Sequence, residues 1–285
     1  MIDLDGTLVH SDGTVTAANR AALARARAHG IDVLIATGRT WSECKSLLEA
    51  AGLGGPVVTA GGSRLVQHPD HCTLDRIEMD PRIAQEAAQI LVQHGLGVLV
   101  LRDPEDDGVE YLSLGPHPLH AVSMWWHARH GHVVHTLDNI DDVGRLHSVL
   151  RIAAVASSGT FQAPMAALEN TFGDRARVWH WEAAIDPALG HDAVHLMEVF
   201  DPSACKWTMV QRWCAAHGRD PAQVVAIGDG LNDVAIVRMA PLGVAMGNAD
   251  PRVRAVADHV APHHDDDGVA QVIDALLTGA LEVAS

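Results

Sequence analysis

The sequence predicts an α/β fold, in which a doubly wound, Rossmann-like parallel sheet carries a second, inserted α/β domain. Short apolar strands alternate with amphipathic helices in residues 1–61 and again in residues 196–285. Residues 62–195 instead mix hairpin-like strands with helices, so we predict a separate domain there. Ligands of a doubly wound sheet bind at the carboxyl ends of its strands, where the polar motifs of this chain lie.

The apolar periodicity predicts the following elements in chain order. Before the insert we expect helices at 17–29 and 41–51, and strands at 31–36 and 57–59. Within the insert we expect strands at 64–67, 74–79, 98–101, 109–114, 151–156, 177–181 and 194–200, and helices at 81–94, 119–130 and 163–172. After it we expect helices at 203–217, 231–239 and 268–278, and strands at 224–227, 242–246 and 258–261.

Two carboxylates, Asp3 and Asp5, open the chain and are followed by a glycine and a hydroxyl. Alternate side chains of an extended segment point the same way, so both carboxylates can face one pocket. Such a pair suits Mg²⁺ and phosphate chemistry, in which one carboxylate attacks phosphorus and the other handles the leaving-group proton. The same pattern also occurs in surface turns and calcium loops.

Thr37, Gly38 and Arg39 follow the apolar run at 31–36 and precede a predicted helix. A hydroxyl and free backbone N–H groups at a strand-to-helix junction can hold a phosphate. An ordinary strand-to-helix turn is the alternative.

Lys206 lies in the first turn of a predicted helix whose N-cap we assign to Ser203. A cation in the first turn is unfavourable because the helix dipole is positive there. We therefore favour a functional role for Lys206, in which its charge faces a phosphate and a carboxylate. A solvated surface lysine is the alternative.

The segment from Gly228 to Asp233 (GDGLND) follows the short strand at 224–227. Its carboxylate and amide oxygens are ligands that Mg²⁺ prefers. An acidic turn is again the alternative.

Together and in this order, the four segments resemble the motifs of the haloacid-dehalogenase-like (HAD) phosphohydrolases: D-x-D-G-T, T-G-R, a lone lysine and G-D-x-x-N-D. The stretches GVAMGNA (243–249) and DGVA (267–270) resemble the Cof-type subgroup, which carries a large α/β cap. The resemblance covers residues 1 to about 65 and about 195 to 285, and is architectural between them. It implies a HAD core, 1–61 with 196–285, and an inserted cap, 62–195, that decides the substrate.

The resemblance implies a catalytic role for several residues. Asp3 would be the nucleophile that forms an aspartyl-phosphate, and Asp5 would protonate the leaving oxygen and then activate water. Lys206 would neutralise the phosphoryl oxygens and Asp3. The remaining phosphate-binding residues would be Thr37, Gly38, Arg39 and Asn232.

The resemblance also implies a Mg²⁺ cofactor. Asp3, the backbone carbonyl of Asp5, and Asp229 would bind the ion. Asn232 and Asp233 would complete the shell around the metal and the lysine.

Composition agrees with an enzyme that we expect in the cytoplasm as a monomer or homodimer. The net charge of −16 argues against sequence-independent nucleic-acid binding, which a basic surface drives. No run of about 18 apolar residues occurs, so we expect no membrane span, and we expect no signal peptide because the chain opens on the catalytic loop. The four cysteines lack a CxxC pair, which favours reduced thiols.

The chain departs from the family pattern at three places. Only Met1 and Ile2 precede Asp3, where relatives have four or five apolar residues, so we expect either a start further upstream or a shortened strand. Gly61-Gly62-Ser63 stands where Cof-type proteins commonly have Asn-Gly-Ala, and Trp207 replaces the glycine after the lysine. The last two changes concern substrate preference.

The nineteen histidines include His263-His264, just before three aspartates. We expect a solvated loop there, between the last strand and the last helix, with a metal-binding segment as the alternative.

These observations predict a Mg²⁺-dependent phosphatase of a small phosphorylated metabolite. The expected substrates are a sugar phosphate, a phosphoglycerate-type ester or a nucleotide-cofactor phosphate. One alternative is a phosphomutase, because the same aspartyl-phosphate could pass to a sugar hydroxyl. Another is a non-catalytic binding or regulatory protein on the HAD fold, against which the intact set of acids and lysine argues.

Overall fold

The computed structural model describes residues 1–183 and 193–283, and it confirms the predicted fold class. The chain forms two compact units, one from Met1–Asp75 with the chain from Cys205 onward, the other from Arg76–Ala204. Both divisions fall later in the chain than the boundaries predicted after residues 61 and 195. Each unit contains one sheet and its own apolar core. None of the helices that the structure describes is long and apolar enough to cross a bilayer.

The elements that begin before Arg76 all contribute to the first unit. Its strands here are β1 (Ile2–Asp3), β2 (Ile35–Ala36), β3 (Gly55–Thr59), β4 (Arg64–His68) and β5 (Cys72–Arg76). Its helices here are α1 (Ala17–Ala28) and α2 (Trp41–Ala51).

The elements that begin and end between residues 77 and 204 form the second unit. Its strands are β6 (Val98–Arg102), β7 (Tyr111–Leu114), β8 (Val134–Leu137), β9 (Val149–Ser157), β10 (Arg177–Ala183) and β11 (Val194–Phe200). Its helices are α3 (Pro81–Gln93), α4 (Ala121–His130) and α5 (Gln162–Phe172). The strands lie in the order β10-β11-β9-β6-β7-β8 and are antiparallel except for the β7–β8 pair. Leu91 of α3, Leu168 of α5 and Ile152 of β9 share one buried core.

The remaining elements complete the first unit. They are α6 (Lys206–Ala216), β12 (Val225–Gly228), α7 (Val234–Met239), β13 (Leu242–Ala245), α8 (Pro251–Arg254), β14 (His259–Val260) and α9 (Gly268–Leu277). The sheet has the order β14-β13-β12-β1-β2-β3-β4-β5. Its strands from β14 to β3 are parallel, and β4 runs antiparallel to β3. Although β1 has only two residues, it lies at the centre, with Ile2 opposite Ile227 on one side and Ile35 on the other.

Several sequence predictions need correction. The strand predicted at 31–36 shrinks to Ile35–Ala36, because the Ile31 N–H still bonds to the Ala26 carbonyl at the end of α1 and the Ile31 side chain is exposed. The strands predicted at 64–67 and 74–79 belong to the first unit's sheet rather than to the insert, because β4 folds back onto β3.

Two helix starts also differ from prediction. Ser203 does not cap α6, because its N–H and hydroxyl bond to Asp201; Cys205 is the N-cap. The helix predicted at 231–239 divides into a 3₁₀ turn over Leu231–Asp233 and α7. Strand β8 and the one-turn helix α8 were not predicted from the sequence.

Candidate active site

The predicted site residues of the first unit lie at the carboxyl ends of three neighbouring parallel strands. Asp3 ends β1, Thr37 follows β2 and Asp229 follows β12. Lys206 is the first residue of α6, so the prediction that it lies in the first helical turn is confirmed. This sheet edge is where a doubly wound fold binds ligands.

A buried lysine joins two of the carboxylates. Lys206 Nζ donates to Asp3 Oδ1 at 2.5 Å and to Asp233 Oδ1 at 2.7 Å. The side chains of Lys206, Asp3 and Asp233 are 1%, 6% and 0% exposed. Burial of a charged group is costly unless it is paired, so these three groups depend on one another.

Burial and charge shift the pKa values of this cluster. Burial, followed by the neighbouring Asp233 carboxylate, raises the pKa of Asp3 well above its usual value, and Lys206 only partly opposes this. Burial alone would lower the pKa of Lys206, but the carboxylates of Asp233 and Asp3 raise it above its usual value. The lysine is therefore a permanent cation at neutral pH.

Asp229 lies beside this cluster and has its own partners. The Thr7 hydroxyl donates to Asp229 Oδ1 at 2.8 Å, and Asn248 Nδ2 lies 3.4 Å from Oδ2. The same Asn248 amide donates to the Gly6 carbonyl at 2.8 Å and so links the two loops. Burial raises the pKa of Asp229 to about 6, against the opposing effect of the Thr7 hydrogen bond.

Asp233 has both carboxylate oxygens engaged. While Oδ1 accepts from Lys206, Oδ2 accepts the N–H groups of Asp229 and Gly230 at 3.2 and 3.1 Å. These bonds fix the turn that carries Asp229. Asp233 therefore positions both the lysine and the neighbouring acid.

The donor set fits a divalent cation. Oxygens of Asp3, Asp229 and Asp233 lie within 4.8 Å of one another, yet Lys206 supplies only one positive charge against three carboxylates. Carboxylate oxygens are the ligands of a hard ion such as Mg²⁺. A divalent ion beside Asp3 and Asp229 would oppose the burial and the carboxylate repulsion that raise their pKa values.

Asp5, unlike Asp3, is not buried. Its side chain is 51% exposed and forms a two-pronged ion pair with Arg39, whose Nε lies 2.8 Å from Oδ2 and whose second nitrogen contacts Oδ1. Because β1 ends at Asp3, the loop rather than strand alternation sets the direction of Asp5. The bidentate contact with the Arg39 guanidinium therefore sets the orientation of the Asp5 carboxylate.

Thr37, Gly38 and Arg39 form a tight loop after β2. The Thr37 side chain is buried, and its hydroxyl oxygen accepts the Arg39 N–H at 3.1 Å. Asn232 is exposed, and a Cβ built on Gly38 would lie 3.5 Å from its amide nitrogen. The predicted phosphate-binding residues thus lie on two facing loops of the first unit.

Two glycines permit close packing around the site: one in the loop after β1 and one in the turn after β3. Gly6 has a φ of +71°, and a Cβ there would overlap the Asp229 carboxylate. Gly62 has a φ of +110°, and a Cβ there would overlap the backbone between Cys205 and Lys206. Both positions require a residue without a side chain.

Sequence reasoning gave no role to Thr7 or Asn248. Both lie inside stretches that carried the family resemblance, D-x-D-G-T and GVAMGNA, so position within those stretches was the available signal. Their partner, Asp229, is more than two hundred residues from Thr7 in the chain, which no local pattern reveals.

Comparison with known proteins finds relatives that match almost the whole chain. A family model described as haloacid dehalogenase-like hydrolase matches residues 1–273. The chain is 27% identical over 281 residues to pyridoxal phosphate phosphatase YbhA of Escherichia coli (strain K12). That match covers 95% of this chain and 96% of that protein. This chain is also 25% identical over 295 residues to 5-amino-6-(5-phospho-D-ribitylamino)uracil phosphatase YwtE of Bacillus subtilis (strain 168). That match covers 98% of this chain and 97% of that protein.

Solved structures show the same fold. The crystal structure of a haloacid dehalogenase-like hydrolase from Bacteroides thetaiotaomicron superposes with a TM-score of 0.74 at 22% sequence identity. The match covers 95% of this chain and 96% of that chain.

Proposed function

Because this chain belongs to the haloacid dehalogenase-like hydrolases of the Cof type and is a phosphatase of small phosphorylated metabolites, we propose that it works through Asp3 with Mg²⁺. The observation that carries the proposal is the buried bridge from Lys206 to Asp3 and Asp233. A lysine held against a carboxylate at a strand end suits the binding of a dianionic phosphoryl group.

Asp3 is the proposed nucleophile. One of its carboxylate oxygens attacks phosphorus, the bond from phosphorus to the alcohol oxygen breaks, and an aspartyl-phosphate forms. Lys206 lies 2.5 Å from Asp3 Oδ1, so its charge reduces the repulsion between the anionic carboxylate and the anionic ester. Water then attacks the same phosphorus, and the bond to Asp3 breaks.

Asp5 is the proposed general acid and base. It gives a proton to the leaving oxygen in the first step and takes one from water in the second. Arg39 holds the carboxylate of Asp5 by both oxygens, so we assign Arg39 a positioning role toward it. Thr37, Gly38 and Asn232 are proposed to bind the phosphoryl oxygens from the two facing loops.

Asp3, Asp229 and the backbone carbonyl of Asp5 would hold Mg²⁺, and Asp233 would orient the site through Lys206 and the Asp229 turn. When bound, the ion supplies positive charge to the phosphoryl oxygens.

The substrate is proposed to be a phosphate ester of a small metabolite. Pyridoxal phosphate and a ribitylaminouracil phosphate, named for the two relatives above, are candidates beside the sugar phosphates and phosphoglycerate-type esters expected from sequence. We propose that residues of the inserted unit select among them, that the protein acts as a monomer or homodimer, and that it works in the cytoplasm.

The test is a phosphate-release assay on a panel of these esters, with Mg²⁺ and with EDTA. We expect at least one ester to be hydrolysed with Mg²⁺, and both EDTA and Asp3→Asn to abolish turnover. Asp12→Asn is the matched control, because Asp12 is an exposed acid of the same N-terminal segment that contacts Thr14. Full activity in Asp3→Asn would overturn the nucleophile assignment.

A further inference from the structure

A second group of metal-ligating side chains lies outside the site described above. His263, His264 and Asp265 follow β14, and His10 approaches them from the loop after β1; we call these four residues the histidine cluster. The loop is solvated in part, as expected from sequence: the His263 side chain is 43% exposed, whereas that of His264 is only 13% exposed. The loop position between β14 and α9 is as predicted.

The Asp265 carboxylate is the centre of the cluster. Its Oδ2 lies 3.7 Å from His263 Nδ1 and 3.8 Å from His264 Nε2, while its Oδ1 lies 3.2 Å from His10 Nδ1. Ser11 fixes the carboxylate by donating its N–H at 2.8 Å and its hydroxyl at 2.7 Å. One anchored carboxylate thus faces three imidazoles.

The backbone sets the tautomer of each ring. His264 Nδ1 lies 2.9 Å from the Val9 carbonyl and His10 Nε2 lies 2.8 Å from the Asp265 carbonyl, so both nitrogens must donate. The lone pairs of neutral rings are then on His264 Nε2 and His10 Nδ1, the two nitrogens that face the carboxylate. His263 Nδ1 accepts the Asp265 N–H at 3.1 Å and is therefore also unprotonated.

Histidine ligands of metals commonly donate one ring N–H to a backbone carbonyl, which orients the ring so that the other nitrogen can bind the ion. His264 and His10 each make such a hydrogen bond to a carbonyl. Without a cation, lone pairs would point at an anionic carboxylate, so either protons or a metal ion must lie between them. Ligand atoms around a tetrahedral ion at about 2.1 Å are about 3.4 Å apart. The observed separations of 3.7 and 3.8 Å are close to that value.

We propose that the histidine cluster is a second metal site, which binds a divalent transition metal of the Zn²⁺ class through His263, His264 and Asp265, whose ligand atoms lie within 4.8 Å of one another. His10 would position the Asp265 carboxylate from its other oxygen. Mixed imidazole and carboxylate donors favour Zn²⁺, Ni²⁺ or Co²⁺ over Mg²⁺, which prefers oxygen alone. The ion would replace the hydrogen bond that His263 Nδ1 now accepts.

The cluster is also connected to the catalytic loops. The His264 N–H donates to Asn248 Oδ1 at 3.1 Å, and the amide of Asn248 bonds to the Gly6 carbonyl. An ion held by His264 and Asp265 would fix the Asp265 carboxylate that His10 and Ser11 contact, and so would clamp the loop after β1 to the loop before α9. Metal that binds only the folded protein raises its melting temperature, which gives a readout independent of turnover.

The test uses the full chain carrying Asp229→Asn, which removes the proposed Mg²⁺ site, with excess Mg²⁺ throughout. Titration with Zn²⁺ by calorimetry, and with Co²⁺ by visible absorption, measures stoichiometry and coordination. We expect one equivalent of Zn²⁺ and the strong visible absorption of tetrahedral Co²⁺. His264→Gln should weaken binding by more than about tenfold, and His10→Gln should weaken it less.

His94→Gln is the matched control, because His94 is exposed and also places Nδ1 against a backbone carbonyl, that of Ile90, at 2.8 Å. It should bind Zn²⁺ like the parent. Melting curves without metal establish that each variant is folded. If His264→Gln does not fold, the Zn²⁺ affinity of His10→Gln is the test of the proposal. The proposal is overturned if the parent takes up no stoichiometric Zn²⁺, or if the folded histidine variants bind as the parent does.

Discussion

At the residue scale, the charge of the candidate site is unbalanced. Three carboxylates, Asp3, Asp229 and Asp233, lie around a single lysine, and two of them have raised pKa values. The charge that Mg²⁺ would bring is therefore also a contribution to stability. This makes the melting temperature a measure of the metal site.

We expect the stabilisation by Mg²⁺ to grow with pH. In the metal-free fold the pKa of Asp229 is about 6, above its value of about 3.9 in an unfolded chain, so the metal-free protein loses stability as pH rises through 6. Mg²⁺ binds the deprotonated carboxylate, so the rise in melting temperature should be larger at about pH 7.5 than at about pH 5. Thermal melts with and without Mg²⁺ measure it.

Asp229→Asn is the control for this experiment, because the amide does not titrate. It should remove most of the Mg²⁺-induced shift at both pH values. Equal shifts at the two pH values in the unsubstituted protein would contradict the assignment of Asp229.

Asp5→Asn should slow both half-reactions, because one group must give and then take a proton. Loss of such a group typically costs about 10²–10⁴ in rate. Rapid-quench measurement of phosphoenzyme formation and decay separates the two steps. A variant with unchanged steady-state kinetics would remove the acid–base role of Asp5, and Asp12→Asn again serves as the comparison.

At the element scale, the site depends on how tightly α6 approaches the turn that follows β3. Gly62 lies in that turn and contacts the backbone between Cys205 and Lys206, the start of α6. The helix start in turn fixes the catalytic lysine. Packing of two backbones therefore sets the position of a charge.

Gly62→Ala should reduce both stability and activity. The new Cβ would overlap backbone atoms at the start of α6, and a φ of +110° is strained for alanine, so we expect a loss of about 2 kcal/mol or more. Chemical denaturation and phosphate release measure the two effects.

Gly52→Ala is the control for this substitution. Gly52 has a φ of +64°, but a Cβ there meets nothing within 4 Å, so it reports backbone strain alone, about 1–2 kcal/mol. Equal losses of stability in the two variants would show that contact with α6 is unimportant.

Sequence reasoning located most elements and the catalytic loops, because helix periodicity and the four polar segments are local signals. Helix α2 is found at the predicted bounds, Trp41–Ala51. Local signals failed where tertiary contact decides. The Ile31 N–H bonds to the Ala26 carbonyl at the end of α1 and β2 begins only at Ile35, whereas β4 joins the first sheet by pairing with β3. The Arg39 contact to Asp5 had no signal, since the two residues are 34 apart.

At the scale of the whole molecule, each unit has a large apolar core of its own. Leu23 lies in the core of the first unit and Leu91 in that of the second, and both side chains are fully buried. Each unit has its own sheet. We therefore expect the units to respond separately to damage in their cores.

Leu91→Ala and Leu23→Ala should each cost about 2–5 kcal/mol, but in different units. Calorimetry should show Leu91→Ala lowering one thermal transition and Leu23→Ala lowering another. Mg²⁺ should raise only the transition that Leu23→Ala lowers. A single transition that both substitutions lower equally would show that the chain unfolds as one cooperative body.

The central place of β1 has a consequence for synthesis on the ribosome. Its two neighbours are β2, made almost at once, and β12, which is complete only at Gly228. At 5–20 residues per second, the nascent β1 waits about 10 to 45 s for β12. During that time the β1 edge of the growing sheet has no partner. We therefore expect chaperones to bind the emerging chain, and we expect the translation rate of the insert to set how long the edge stays exposed.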